Sequence, residues 1–579
     1  MKTIGEFREA YEAGREPRNV LKRVWEIEAE AVFIRKATWA EVEAQIEALP
    51  EERGELWGVP FVVKDNIDVA GWETTAGCPD YAYLPDADAQ VVAKLKAAGA
   101  ICLGKTNLDQ FATGLVGVRT PYGVPKNPFD ENYLPGGSSC GSAVAVARGM
   151  AVFSLGTDTA GSGRVPAAFN ELVGLKPTRG YLSTRGVVDA CKSLDCVSVF
   201  ANSCGDADVV LQVAAGWDEE EAWSREVPEK WERIGKSFCF GVPKAEQLDF
   251  FGWDSARDLF EEAVKTFEGM GGQAVEVDLE PFLEAARLLY EGPWVTERFV
   301  AIEGFLQEKP ESIWPVTREI IGGGATPLAA DLFKADYRLA DCKRRADAVM
   351  AGLDFVILPT TPRNFTVAEV EAEPVKLNSC LGTYTNFMNL LDYSALALPA
   401  GRYEGKLPWG VTVFGKAGLD RGLLEVGALY EEVIGRGKVS GFGDDWDEIL
   451  VAVCGAHLGG MPLNWQLTDR GGRFEFEGKT ADCYRMHLVP EGGGLPERPA
   501  LVRVGEGEGA AIELEVWSLS RKAFGEFVAA IPGPLGIGKV LLADGTEVPG
   551  FIAEARASEG ARDLTEFGGW RGYQAAKNH

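Results

Sequence analysis

The run PGGSSCGSAVAVARGMAVFSLGTDTAGSGRVP, residues 135–166, decides the architecture. It opens on a Gly/Ser loop, enters a helix of small residues from Ser142, and stops at Gly149. Glycine suits that stop because it adopts the left-handed conformation that closes a helix. Ala151–Leu155 follows as an apolar run of strand length, and a second Gly/Ser loop, Gly156 to Pro166, leaves it. A short apolar run bounded by turn residues reads as a buried strand. Helix, glycine stop and buried strand together make one unit of an α/β sheet.

The same grammar extends outward. Val91, Val92, Leu95 and Ala98 mark a helix face with Asp88 as its expected cap, Gly99 as its stop and Ala100–Leu103 as the next strand. Leu259, Phe260, Ala263, Val264 and Phe267 line another helix, followed by the Gly271-Gly272 break and a strand at Ala274–Val277. Phe355–Leu358 is a further buried strand. Alternation of this kind from Gly58 to about residue 430 predicts an α/β fold around one large sheet. Gly435 to Asp447 is Gly-rich, then acidic, without apolar period, and reads as a linker. Beyond it, Ile449–Val453 is apolar, Ile512, Leu514 and Val516 alternate with glutamates, Asp544-Gly545 signals a hairpin, and a helix surrounds Phe524, Phe527, Val528 and Ile531. These elements predict a small α+β domain. The expected division is 1–435, a linker at 436–448, and 449–579. No period of 20–50 residues recurs, which excludes a solenoid.

The chain has 579 residues, with 58 basic against 87 acidic side chains and a formal net charge of −29. Such a surface repels nucleic acid and anionic membranes, so neither is an expected partner. Thr3 and Glu6 have capping-box spacing, and the start lacks the apolar core of a secretory signal. No apolar run is long enough to span a membrane. The 11 cysteines are scattered without a C-x-x-C pair, as expected of reduced thiols in a cytoplasmic protein. Only three histidines occur, His457, His487 and His579, and none precedes residue 457. A Ser-His-Asp triad or a histidine-ligated metal wholly inside the first domain is thereby excluded.

Two motifs there mislead. Gly99 to Thr106 has a Walker A spelling, but a helix precedes it and its middle residues form a strand, so no free amides cradle a phosphate. Gly137-Ser-Ser139-Cys-Gly141 has a nucleophile-elbow spelling, but a polar, Pro-bounded loop precedes it instead of a strand. A third constellation survives. Lys64 ends the apolar run Gly58-Val-Pro-Phe-Val-Val, and the Pro135–Ser142 and Gly156–Pro166 loops follow. A serine needs a base, and a desolvated lysine can supply one because burial favours its neutral form. A second serine can relay the proton, since a hydroxyl both donates and accepts. Backbone amides of a Gly-containing loop can hold an oxyanion.

These segments resemble the amidase signature, a family with a Ser-cisSer-Lys triad. Lys64 precedes Ser138 by 74 positions and Ser138 precedes Ser162 by 24, the family's separation. Gly174-Leu-Lys-Pro-Thr178 also fits, and Ala160 stands where many members carry glycine. The resemblance implies an α/β/α sandwich around a large mixed sheet. It implies Ser162 as nucleophile, Ser138 as relay, Lys64 as base, and the amides of Thr159, Ala160, Gly161 and Ser162 as the oxyanion hole.

Within that family the chain resembles the allophanate hydrolases. The loop Gly156–Pro166, the segment Leu289-Tyr290-Glu-Gly-Pro-Trp-Val-Thr-Glu-Arg298 and the segment from Leu377 to Asp392 carry the likeness. So does Gly455-Ala-His457-Leu-Gly-Gly-Met-Pro-Leu-Asn464, which is similar to the start of their γ-glutamylcyclotransferase-like C-terminal domain. The resemblance implies that Tyr290 and Arg298 hold a substrate carboxylate, and leaves Tyr384 without a role. The implied reaction is hydrolysis of allophanate to ammonia and carbon dioxide through N-carboxycarbamate, in urea or s-triazine degradation. It further implies a homodimer, a urea carboxylase as functional partner, and neither metal nor organic cofactor. His487 and His457 are the acid–base candidates of the C-terminal domain, against a purely packing or dimerising role. The alternatives are an amidase for another carboxylate-bearing amide such as malonamate, and a non-catalytic scaffold with an amidase fold. A tRNA-dependent amidotransferase subunit is disfavoured by the acidic surface and by the tail.

Overall fold

The computed structural model describes residues 1–577 except 236, 404, 437–447, 492–495, 506 and 559, with the backbone alone at 448, 520–522 and 555–556. The chain divides into two compact units, Met1–Gly441 and Phe442–His579. The expected linker lies, from 437 to 447, outside the described residues.

The first unit is built on one mixed sheet of eleven strands among the described residues. In chain order these are β1 (Phe33–Lys36), β2 (Pro60–Lys64), β3 (Ile101–Thr106), β4 (Phe153–Asp158), β5 (Val173–Lys176), β6 (Cys196–Ala201), β7 (Phe238–Pro243), β8 (Gly272–Val277), β9 (Phe355–Pro359), β10 (Tyr393–Tyr403) and β11 (Leu407–Lys416). Their spatial order is β1-β3-β2-β4-β6-β5-β10-β11-β9-β7-β8. β2 runs parallel to both β3 and β4, β4 antiparallel to β6, and β10 antiparallel to β5 and β11. The large mixed α/β sheet expected from the sequence is therefore what forms. β2, β3, β4, β6 and β9 are buried along their whole length, which is why they read as continuous apolar runs and not as alternation.

The flanking helices follow the sequence signals, with two differences. Helix Gln90–Ala97 buries Val91, Val92 and Leu95, and Gly99 follows at φ 88°. Asp88 does not cap it. Its carboxylate accepts the Ala70 amide at 2.8 Å and pairs with Lys96 at 2.8 Å, and Ala89 stands at the cap position. Those tertiary partners outcompete the local cap. The small-residue helix spans Cys140–Ala147, starting before Ser142, and is buried through Val146. A helix enclosed on all sides carries no polar face.

Among the described residues the second unit contains a five-stranded sheet and a two-stranded one. Its strands are β12 (Glu448–Val453), β13 (Arg473–Lys479), β14 (Tyr484–Val489), β15 (Arg498–Arg503), β16 (Glu513–Ser520), β17 (Leu535–Leu541) and β18 (Glu547–Ala553). β17 and β18 form the hairpin signalled by Asp544-Gly545, with Gly545 at φ 89°. Helix Arg521–Ala529 stops just short of Ile531. Val451, Val453, Leu514, Val516 and Phe527 belong to the core of this α+β unit. Among the described residues no helix is long and apolar enough to cross a membrane.

Candidate active site

β2 ends on Lys64, held between β3 and β4, so the lysine stem leaves the sheet within the protein interior. The side chain is fully buried. Its Nζ donates to Ser138 Oγ at 2.7 Å and to Thr157 Oγ1 at 2.7 Å. Burial lowers its pKa to about 7; the opposing fields of Cys140, Asp109, Asp195 and Asp158 restore only part of the loss. Lys105, one strand over, is equally buried but pairs with Asp65 at 3.2 Å and donates to Thr74 at 2.8 Å. Residues 101–106 are strand β3, so the Walker A spelling has no phosphate loop behind it.

Ser138 sits in the loop before helix Cys140–Ala147, after a cis Gly137–Ser138 peptide. Only glycine fits at 137. A Cβ there would lie 2.1 Å from Asp109 Oδ2 and 2.5 Å from the Gly117 amide. The Asp109 carboxylate accepts the amides of Val116, Gly117 and Arg119, and the Gly137 amide donates to Leu115 O at 2.8 Å. The Ser138 loop is thus docked on residues 115–117. No strand leads into it, as the sequence indicates.

Ser162 lies in the loop after β4, nearly buried, and its Oγ donates to Gly114 O at 3.4 Å. Both serines therefore rest on one segment, residues 114–117. No hydrogen bond joins their hydroxyls among the described residues. The loop carrying Ser162 is shaped by Asp158. This carboxylate accepts the Gly161 amide at 2.7 Å and the Gly163 amide at 3.1 Å, and it pairs with Arg164 at 2.8 and 2.9 Å. Burial acts to raise the Asp158 pKa, and Arg164, Lys176 and the Gly161 amide overcome it, leaving the value below the ordinary one.

One expectation is corrected here. The Gly161 amide points at Asp158 and is not free for an oxyanion. The amides of Thr159, Ala160 and Ser162 have no acceptor among the described residues and remain as donors. Thr159 Oγ1 donates to the buried Asp195 carboxylate, which also accepts the Ala190 amide at 2.7 Å. Burial raises the Asp195 pKa to about 6.

Tyr290 and Arg298, eight positions apart in the motif, stand on different helices, Glu280–Glu291 and Val295–Glu308. Tyr290 is half-buried against the cluster that contains Ala160. Arg298 is 3% exposed, donates to Thr113 Oγ1 at 3.0 Å and Ala112 O at 3.4 Å, and has no carboxylate within 4.0 Å among the described residues. Thr113 adjoins Gly114, so this guanidinium is one residue removed from the carbonyl that holds Ser162. Tyr384 is fully buried and exchanges two hydrogen bonds with the Asp249 backbone, a structural tie. Thr157, Asp158, Asp195 and Arg119 were not singled out in the sequence. The detectable signal was for Asp158 alone, an acid ending a buried strand.

In the second unit, His457 hydrogen-bonds Gln466 at 3.0 Å and stacks on Phe551 at 4.9 Å, and burial lowers its pKa. His487 on β14 is nearly buried, and its Nδ1 has no partner among the described residues.

The amidase family model matches residues 18–424, and the allophanate hydrolase C-terminal domain model matches residues 449–575. A urea amidolyase of Saccharomyces cerevisiae is 43% identical over 543 residues, covering 90% of this chain and 29% of that protein. A urea amidolyase of Lachancea kluyveri is 44% identical over 90% of this chain and 30% of its own length. The chain thus spans under a third of these curated relatives. The solved structure of a selenomethionine-substituted Kluyveromyces lactis allophanate hydrolase superposes with a TM-score of 0.76 at 39% identity, covering 99% of both chains. The chain belongs to the amidase family, and its second unit is an allophanate hydrolase C-terminal domain.

Proposed function

We propose that this protein hydrolyses allophanate by a Ser-Ser-Lys mechanism. The observation that carries the mechanism is the 2.7 Å contact of a fully buried Lys64 with Ser138. Ser162 Oγ attacks the terminal carbamoyl carbon, and its proton passes through Ser138 to neutral Lys64. The amides of Thr159, Ala160 and Ser162 face the developing oxyanion. The proton returns through Ser138 to the leaving nitrogen, and ammonia departs. Water, deprotonated along the same route, cleaves the acyl-serine and releases N-carboxycarbamate, which decarboxylates. Arg298 and Tyr290 hold the substrate carboxylate, a role that suits a guanidinium fork with no carboxylate within 4.0 Å among the described residues.

The second unit assists the decarboxylation, with His487 as its acid–base group. His457, tied to Gln466 and packed among aromatics, serves structure. The protein acts in the cytoplasm beside a urea carboxylase activity in urea degradation, a reading supported by the urea amidolyase relatives. It works as a homodimer. An apolar face supports this reading: Val300, Leu328 and Leu332 are exposed around a cavity of about 290 Å³, and Phe333, next in sequence, is exposed as well.

The test is ammonia release from fresh allophanate, malonamate, biuret, urea and simple amides by the protein and its Ser162→Ala variant. Turnover of allophanate, abolished in the variant, is expected. Turnover of simple amides alone would keep the mechanism and remove the substrate. In Arg298→Leu, KM for allophanate rises while neutral amides are unaffected.

A further inference from the structure

Arg119 is as deeply buried as Arg298, at 2% exposed. Like Arg298, it has no carboxylate within 4.0 Å among the described residues. Asp109, whose charge acts on Arg119, spends its oxygens on the amides of Val116, Gly117 and Arg119 itself. The Arg119 guanidinium donates to Thr113 O at 3.0 Å and to Pro374 O at 2.7 Å, and its buried Nε has no partner among the described residues. Arg298 lies in electrostatic range and opposes it, and Tyr290 lies in range of both. Two guanidiniums are therefore buried on the two sides of one residue. Arg119 takes the carbonyl of Thr113, and Arg298 takes its hydroxyl.

Burying one cation without a counter-ion is costly, and burying two that repel each other is costlier. Among the described residues neither guanidinium has a carboxylate within 4.0 Å; Asp195 and Glu297 act on Arg298, and Asp109 on Arg119, only from beyond that distance. The backbone that presents Thr113 is also held in unusual geometry, with Phe111 and Ala112 both at φ 52°. Non-glycine residues in the left-handed region persist only where their surroundings over-determine them, and they cluster at binding sites. The strained segment ends at Gly114, whose carbonyl receives Ser162.

Resting on the carboxylate subsite proposed above, we propose that Arg119 is a second, specificity-determining cation of that subsite. It adds positive potential where the substrate anion binds. By clamping Thr113 O it also aims the Thr113 hydroxyl at Arg298. It is a positioning residue and transfers no proton.

The experiment compares Arg119→Met, Arg119→Lys, Thr113→Val and Arg298→Leu with the parent protein. Each is assayed on malonamate and on neutral malonamide. Malonamate binding is also titrated calorimetrically in the Ser162→Ala background. A hydrogen bond to a charged group is worth about 1.5–3 kcal/mol, or roughly 10- to 150-fold in affinity. Arg119→Met is expected to raise KM and Kd for malonamate within that range and to lower malonamate turnover far more than malonamide turnover. Arg119→Lys, which restores charge without the fork, regains part of the loss. Thr113→Val follows Arg119→Met in direction. Equal losses on both amides in Arg119→Met and Arg119→Lys would make Arg119 structural and overturn the proposal. So would an unchanged preference for malonamate in Arg119→Met while Arg298→Leu abolishes it. If Arg298→Leu leaves the preference intact, the subsite itself is misplaced and both readings fall.

Discussion

Lys64 Nζ and Ser138 Oγ stand 2.7 Å apart, and both side chains are fully buried. The lysine arrives on a strand end and the serine on a loop 74 residues later, so the contact exists only once β2, β3 and β4 have assembled around it. Burial gives the contact its chemistry. In water a lysine is charged at neutral pH and cannot accept a proton, whereas here its charged form is disfavoured.

Activity is expected to depend on pH through this lysine. With its pKa lowered to about 7, Lys64 is protonated below that pH and unable to act as base, and neutral above it. The rate constant kcat/KM for ammonia release therefore climbs with unit slope as pH rises towards 7 and levels off beyond. A pH–rate profile from 5.5 to 9 checks this. A flat profile across that range would remove Lys64 as the base.

Ser138→Ala cuts the relay and leaves Lys64 its bond to Thr157. The expected loss in kcat is about 10²- to 10⁴-fold, the usual scale for a positioned proton-transfer group. KM changes little, because Ser138 contacts the lysine and not the substrate. Steady-state kinetics on one amide separates the two parameters.

Asp158→Asn strikes the loop that carries Ser162. It leaves the fully buried Arg164 without its carboxylate. Breaking a buried pair on one side costs about 3–5 kcal/mol. Urea denaturation is expected to show a loss of that order, with turnover falling alongside as the Gly161 and Gly163 amides lose their charged acceptor.

Gly137→Ala and Gly149→Ala separate crowding from backbone strain. A Cβ at 137 meets the Asp109 carboxylate at 2.1 Å, whereas at 149 it meets nothing within 4 Å, and only φ 72° opposes it. The 149 variant should lose about 1 kcal/mol or slightly more. The 137 variant should exceed the roughly 1–3 kcal/mol of ordinary overpacking. Thermal melts of both rank them, and an equal cost would contradict the packing seen around Asp109.

The sequence by itself determined the elements and the menu of chemistry. Glycine stops at 99 and 149, apolar runs at 60–63 and 153–155, and the hairpin at 544–545 are local signals, because helix closure and strand burial leave their mark on neighbouring residues. The first 456 residues contain no histidine, which leaves a lysine as the base their chemistry can draw on. What only the tertiary structure decided is everything that depends on distant partners. Asp88 gave up its helix to Ala70 and Lys96. The Gly161 amide turned to Asp158 and away from the oxyanion position. Tyr290 and Arg298 parted onto two helices, and Arg119 came to share Thr113 with a residue 179 positions later in the chain. A pKa, a free amide or an unpaired guanidinium is a property of the space around a group. That space is filled by segments whose approach no local pattern records.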